Sequence, residues 1–91
     1  MIYTANVKGN KIRFTDDPWH SPKRSLYDTM PSYCFLDPVG HKFPIMYPRE
    51  KVIYVGALRA AAARASEYGY DDVYNKAKVL LDIYDQVKES A

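Results

Sequence analysis

The sequence predicts an α+β fold in which two short β-hairpins pack on a long antiparallel helical hairpin. In residues 1–47, two glycine-containing turns each separate short apolar segments, a pattern typical of β-hairpins. In residues 48–91, apolar residues recur at three- and four-residue spacing on both sides of Gly69, the pattern of two amphipathic helices joined by a tight turn. We expect residues 1–91 to form a single domain with a modest core.

Composition limits the classes of protein to which the chain can belong. Hydrophobic residues make up 47% and charged residues 26%, a balance that favours a globular protein over a disordered one. The net charge of +2 is too small to indicate nucleic acid by itself. No apolar run is long enough for a membrane span or a signal peptide, so neither is expected. Cys34 is the single cysteine, which excludes an intrachain disulfide and favours a reducing compartment.

Residues 1–15 are predicted to form the first hairpin, because Gly9-Asn10 suits the positive φ values of a two-residue turn. That turn creates two cross-strand pairs on one apolar face, Val7 with Ile12 and Ala5 with Phe14. Residues 32–46 predict a second hairpin, with Pro38-Val39-Gly40 at its turn. Its expected apolar pairs are Phe35 with Phe43 and Tyr33 with Ile45.

Residues 16–31 form the least regular part of the sequence and predict a loop with one helical turn near residues 25–30. A loop of this length tends to be functional or mobile. Trp19 either folds back to cap the core or anchors a partner, and both interpretations stay open. Asp16, Asp17 and His20 lack the ligand set of a known metal site, so we expect no metal and no cofactor.

The first helix is predicted to begin at Pro48 and to end at Gly69, a natural left-handed stop. Its apolar stripe comprises Tyr54, Leu58, Ala61, Ala65 and Tyr68. A second strip of small residues, formed by Gly56, Ala60 and Ala63, offers a smooth surface that a backbone can approach closely. Both helices are expected to span about 18–20 residues, or roughly 30 Å.

The second helix, predicted over Asp72–Glu89, has the clearest pattern in the chain. Its seam comprises Val73, Ala77, Leu80, Tyr84 and Val87, widened by Tyr74 and Leu81. Val79 and Ile83 lie outside that seam, so one antiparallel neighbour would leave them uncovered. The pattern therefore predicts additional apolar surface that is available to a partner.

Tyrosine is the unusual component of the composition, with nine residues. Its ring and hydroxyl suit both a half-buried core rim and a protein interface, and the composition does not separate the two. The predicted protein-binding residues are Trp19, Tyr47, Tyr54, Tyr74, Val79, Ile83 and Tyr84. No pair of histidine, cysteine or carboxylate residues has the spacing of a catalytic site, so we expect no catalytic residues and no enzymatic activity.

Short motifs in the second hairpin and the helices resemble a known family. They comprise Gly40, Phe43-Pro44-Ile45, Val52 or Val55, Ala57-Leu58-Arg59-Ala60, the run from Ala61 to Arg64, and Lys78-Val79-Leu80. Residues from about Tyr33 to Tyr84 resemble a short domain of unknown function encoded among tailed-phage head genes, sometimes joined to prohead proteases. The resemblance implies a non-enzymatic bacteriophage virion or head-assembly protein, with no catalytic residues to carry over.

These observations predict a structural protein that acts through protein–protein contacts, such as a capsid decoration, cement or connector subunit. The expected partners are capsid or other virion subunits, the chain itself is expected to be oligomeric or part of a large assembly, and its expected location is the virion or the host cytoplasm. The alternative is a nucleic-acid-binding or regulatory module, since two helices with a glycine turn resemble a helix-turn-helix. Asp82, Asp85 and Glu89 would repel a phosphate backbone, so nucleic acid is the less favoured partner.

Overall fold

The computed structural model describes residues 1–90 and has the predicted α+β fold, with two small sheets beside a pair of helices. The elements in chain order are β1 (Ile2–Val7), β2 (Asn10–Thr15), β3 (Phe35–Asp37), β4 (Lys42–Pro44), β5 (Ile53–Tyr54), α1 (Val55–Tyr68) and α2 (Asp71–Ser90). One sheet has the strand order β1-β2-β5, and the other pairs β3 with β4. Residues 16–31 contain a 3-10 turn at Arg24–Thr29, close to the helical turn predicted for this segment.

The first hairpin turns one residue earlier than the sequence predicted. The two turn residues are Lys8 and Gly9, with φ values of 51° and 83°, because this type of tight hairpin turn needs positive φ at both positions. The resulting cross-strand partners are Ala5 with Ile12 and Tyr3 with Phe14. The predicted pairs were therefore wrong. The apolar residues still share one face of the sheet. The observed register differs from the predicted one by two residues, and side chains alternate between the two faces with a period of two.

Strand β5 was not predicted, and it moves the start of the first helix from Pro48 to Val55. Ile53 pairs in parallel with Phe14, and Tyr54 pairs with Thr15. The four residues from Val52 to Val55 are all buried, as expected for a short apolar run inside a sheet rather than for one side of a surface helix. Helix α1 consequently has 14 residues instead of the expected 18–20, while α2 has 20.

The second hairpin forms, but its register differs by one residue from the prediction. Strand β3 pairs Phe35 with Pro44 and Asp37 with Lys42. His41 is left-handed, with φ of 49°, and it belongs to the turn together with the predicted Pro38-Val39-Gly40, so the turn is one residue longer than predicted. Phe35 therefore does not face Phe43.

The segment before β3 forms a 3-10 turn over Ser32–Cys34 instead of extending the strand. Tyr33 is consequently exposed and does not face Ile45, which corrects the second predicted pair. The amide of Ile45 instead donates a hydrogen bond to the carbonyl of Cys34 at 2.8 Å. A small second core forms here from Met30, Cys34 and Phe35.

The two helices pack against each other, and α2 also packs against the first sheet. Gly69 ends α1 in the left-handed conformation at φ of 76°, as the sequence predicted, and its amide donates a hydrogen bond to the carbonyl of Ala65. The side chains buried in α1 are Val55, Ala57, Leu58, Ala61, Ala62 and Ala65, and those buried in α2 are Val73, Ala77 and Tyr84. Among residues 1–90, neither α1 nor α2 combines the length and the apolar character that a membrane span needs.

Candidate functional site

Three of the residues predicted to bind a partner form one aromatic cluster inside the chain. The ring centroid of Trp19 lies 5.0 Å from that of Tyr47 and 5.1 Å from that of Tyr54. The Tyr47 and Tyr54 rings are 5.2 Å apart, edge to face. The hydroxyl of Tyr47 donates a hydrogen bond to the carbonyl of His20. The cluster therefore holds the start of the 16–31 segment against β5, and Trp19 folds back to cap the core.

Tyr54 is buried, and its hydroxyl donates to both carboxylate oxygens of Glu50 at 3.1 Å. Burial and the neighbouring Glu50 carboxylate together raise the pKa of Tyr54 to about 12. The side chain is thus part of the core and offers little surface to a partner, contrary to its predicted role.

The predicted contact residues of α2 divide between the core and the surface. Tyr84 is 1% exposed and packs against Tyr3 and Phe14, so it is a core residue and does not lie on a contact surface. Tyr74 and Ile83 are partly buried and pack against the main core. Val79 is 58% exposed, and of the four it alone presents most of its side chain to solvent.

Residues 19–28, 40–44, α1 and Tyr70 contribute to an open groove of about 930 Å³, which we call the α1 groove. One wall is the segment from Trp19 to Asp28, and the other wall is the β3–β4 turn with β4, from Gly40 to Pro44. We call the lining residues of helix α1 the floor, and Tyr70 also lines the groove. Of the residues predicted to bind a partner, Trp19 alone lines this groove.

The first part of the floor of the α1 groove consists of small apolar side chains. Ala57, Ala60 and Ala61 lie there, followed along the same face of the helix by Arg64 and Tyr68. Ala60 belongs to the strip of small residues that the sequence predicted as a close-approach surface, and it is exposed. An alanine floor has no side-chain polar atom to desolvate, so an apolar group or a backbone can lie directly on the helix.

The charged side chains that line the α1 groove, which we call its rim, are predominantly basic. Arg24, Lys42 and Arg64 line it, and Asp28 is its one carboxylate. Within residues 1–90, none of the three cations forms an ion pair, since both ion pairs there join the N-terminus to Asp16 and Asp17. Lys42 lies over the ring of Tyr70 at 5.7 Å, and this contact leaves its charge unneutralised.

His41 connects the two walls of the groove. Its ring stacks on Phe35 at a centroid distance of 4.8 Å, and its Nδ1 lies 3.0 Å from the carbonyl of Tyr27. The ring of Tyr27 packs edge-on against the same Phe35 at 5.4 Å. These contacts tie the β3–β4 turn to the 3-10 turn, so the groove has walls that are fixed to the second core.

A second, smaller cleft of about 500 Å³ lies beside the connection between the helices. It contains Asp37, Asp71 and Asp72, with Lys76 donating a hydrogen bond to the carbonyl of Leu36 at 3.1 Å. No group of three or more metal-ligating side chains converges there or elsewhere in residues 1–90. Burial raises the pKa of the Cys34 thiol, which disfavours the thiolate that a nucleophile needs.

No protein-family model, curated protein or solved structure matches this chain. The resemblance to the domain encoded among tailed-phage head genes therefore rests on the short motifs between Tyr33 and Tyr84 alone, and it remains a prediction.

Proposed function

We propose that this chain is a non-enzymatic binding protein that holds a segment of a partner protein in the α1 groove. The observation that carries the proposal is the groove itself, which has the exposed Ala60 on its floor and two walls tied together by His41. Its volume of about 930 Å³ lies in the range of ligand sites, and its open side suits a chain that passes through rather than a small molecule that is enclosed.

The resemblance to a phage head-gene domain supports a specific setting for this binding, a bacteriophage virion. In that setting the partner is a capsid or other virion subunit, and the chain acts as a decoration, cement or connector component. The exposed side chain of Val79 on α2 supports a second contact with the same assembly, on a part of the chain that does not line the groove.

Single-stranded nucleic acid is the second candidate occupant, because Arg24, Lys42 and Arg64 could contact phosphates and Tyr68 is 67% exposed. Most groove aromatics, however, already pack their rings against neighbours in the chain. Trp19 packs in the aromatic cluster, Tyr27 against Phe35, and Phe43 against Tyr70. Stacking of successive bases would need free ring faces, so this arrangement favours a protein segment.

The test is incorporation into virus particles. Mass spectrometry of particles purified from the source that encodes this chain should detect its peptides at a fixed ratio to the capsid subunit. Ala60→Trp fills the floor of the groove and should reduce incorporation at least about tenfold. Ala63→Trp is the matched control, since Ala63 is exposed on the same helix but does not line the groove.

Each part of the proposal has its own contradicting result. Particles that lack the chain would contradict the virion setting. Equal incorporation of the two tryptophan variants would contradict docking in the groove. Light scattering on the purified chain should accompany both measurements, because the mass of the eluted species separates a monomer from a closed oligomer or a large assembly.

A further inference from the structure

We infer that the occupant of the α1 groove is an acidic protein segment, in which carboxylates alternate with apolar side chains. This inference rests on the proposed function and adds the chemistry of the partner. It follows from the presence, in one groove, of three unpaired cations and a floor that contains alanines.

The charges of the rim specify the sign of the charge that the partner carries. Arg24 comes from the first wall, Lys42 from the second wall and Arg64 from α1, so each of the three segments that line the groove contributes one cation. Asp28 is the one carboxylate among the lining residues. Three cations that line one groove and have no ion-pair partner within residues 1–90 are complementary to an anionic ligand.

The floor specifies that the ligand also carries apolar groups. Ala60 and Tyr68 are exposed where they line the groove, so they present apolar surface to a ligand, whereas Ala57 and Ala61 are buried and present little. Phe43 and Pro44 add apolar surface from the second wall. A free phosphate or another small anion would leave this surface in contact with water. A peptide with apolar side chains between its carboxylates would cover it.

The length of the floor limits the length of the segment. From Ala57 to Tyr68 the helix rises about 16 Å, at 1.5 Å per residue. An extended chain advances about 3.3 Å per residue, so about five residues span the floor. The segment is therefore a short linear one, and a folded domain surface is not required for the contact.

The test uses a designed probe, an acetylated peptide of about eight residues that alternates glutamate with leucine. Its binding is measured by NMR titration of the isotope-labelled chain, in which shifted amides identify the contact residues. We expect the shifts to concentrate on the groove residues of α1 and of both walls. A peptide that alternates glutamine with leucine has the same apolar content without charge, and we expect it to bind at least about tenfold more weakly.

Substitutions that neutralise the three rim cations test the same charge attraction from the side of the protein. Arg24→Gln, Lys42→Gln and Arg64→Gln should each weaken binding of the acidic peptide about twofold to threefold, and the triple variant about tenfold. The matched controls are Lys23→Gln and Arg59→Gln. Lys23 is next to Arg24 in the sequence, and Arg59 is on the same helix as Arg64. Both controls are exposed cations, and neither lines the groove. Their binding should stay within the error of the unmodified chain.

The outcomes separate this inference from the proposed function. If Ala60→Trp blocks both peptides but the neutral peptide binds as well as the acidic one, the groove is a docking site and the acidic inference is wrong. If Ala60→Trp leaves both affinities unchanged, or if neither peptide binds, docking in the groove is wrong as well. If a short oligothymidine displaces the acidic peptide and binds more tightly, the ligand is nucleic acid and the inference is overturned.

Discussion

The Cβ atom of Trp19 lies 3.4 Å from the position that a Cβ of residue 56 would occupy, so the tryptophan rests directly on the glycine at the start of α1. Glycine costs about 1 kcal/mol relative to alanine in a helix interior, and this is an upper limit for Gly56, which is the second residue of α1. The absence of a side chain at residue 56 lets the loop pack closely on the helix, because a larger side chain there would push Trp19 outward. The contact thus links helix α1 to the wall of the groove.

This contact predicts different results for small and large substitutions at Gly56. Gly56→Ala should retain the contact, since 3.4 Å is at the lower limit of an ordinary van der Waals separation, and it should raise the free energy of unfolding by up to about 1 kcal/mol. Gly56→Leu should displace Trp19 and destabilise the fold. Fluorescence reports this directly, because Trp19 is the single tryptophan. We expect a red shift of the Trp19 emission for Gly56→Leu and none for Gly56→Ala. The control is Ala63→Leu, on the exposed face of the same helix, which should show no shift.

Ionisation of the Tyr54 hydroxyl is expected to lower the stability of the fold at high pH. Its pKa is raised to about 12, first by burial and then by the hydrogen bond to Glu50, while the pKa of an unfolded tyrosine is about 10. Because the folded pKa is the higher one, the contribution of Tyr54 is complete below pH 10 and is lost as pH rises through 12. Tyr54→Phe should reduce the slope of unfolding free energy between pH 10 and 12, as measured by denaturant titrations.

Glu50→Gln is the informative partner variant for this titration. It removes the carboxylate that disfavours the phenolate, so the pKa of Tyr54 should fall from about 12 but stay above its ordinary value, because burial is the larger cause. Ultraviolet absorption of tyrosinate measures this, with the Tyr54→Phe spectrum subtracted. An unchanged high-pH titration in the glutamine variant would contradict the role of Glu50.

We expect a sharp contrast in stability effects between two residues of α2 that the sequence analysis had both predicted to bind a partner. Tyr84 is 1% exposed, so Tyr84→Ala should lower the free energy of unfolding by about 3–5 kcal/mol, as for other large aromatic deletions. Tyr84→Phe should cost less than about 1 kcal/mol. Val79 is 58% exposed, so Val79→Gln should change the free energy by less than about 0.5 kcal/mol. Equal losses for Tyr84→Ala and Val79→Gln in chemical denaturation would contradict this division.

The regular parts of this fold were predictable because their signals are local. Helix α2 has an unbroken apolar spacing, and Gly69 marks the helix end with a conformation that glycine adopts without strain. The start of α1 was not predictable in the same way. Pro48 and Glu50 are a good helix beginning, and the competing strand β5 depends on Phe14, which is distant in sequence. A pairing of that kind leaves no local pattern beyond a short apolar run.

The candidate site was predictable only in part, for the same physical reason. Ala60 was identified as part of a smooth helical strip, but the walls of the groove come from residues 19–28 and 40–44. Their approach depends on the Trp19 cluster and on the His41 contact with Tyr27. The tyrosines were correctly identified as unusual, yet composition cannot separate the buried Tyr84 from the exposed Tyr68.

The first hairpin gives the last prediction, which concerns its turn. Lys8 has φ of 51° and Gly9 has φ of 83°, and a Cβ on Gly9 would have no neighbour within 4 Å. Gly9→Ala should therefore lower the free energy of unfolding by about 1–2 kcal/mol through backbone strain alone. Lys8→Asn should raise it by a few tenths of a kcal/mol, because asparagine tolerates positive φ better than lysine does. Lys8→Gln removes the same charge without that tolerance and should show no such gain. Thermal unfolding measures each change, and NMR contacts between Tyr3 and Phe14 verify that the register is kept.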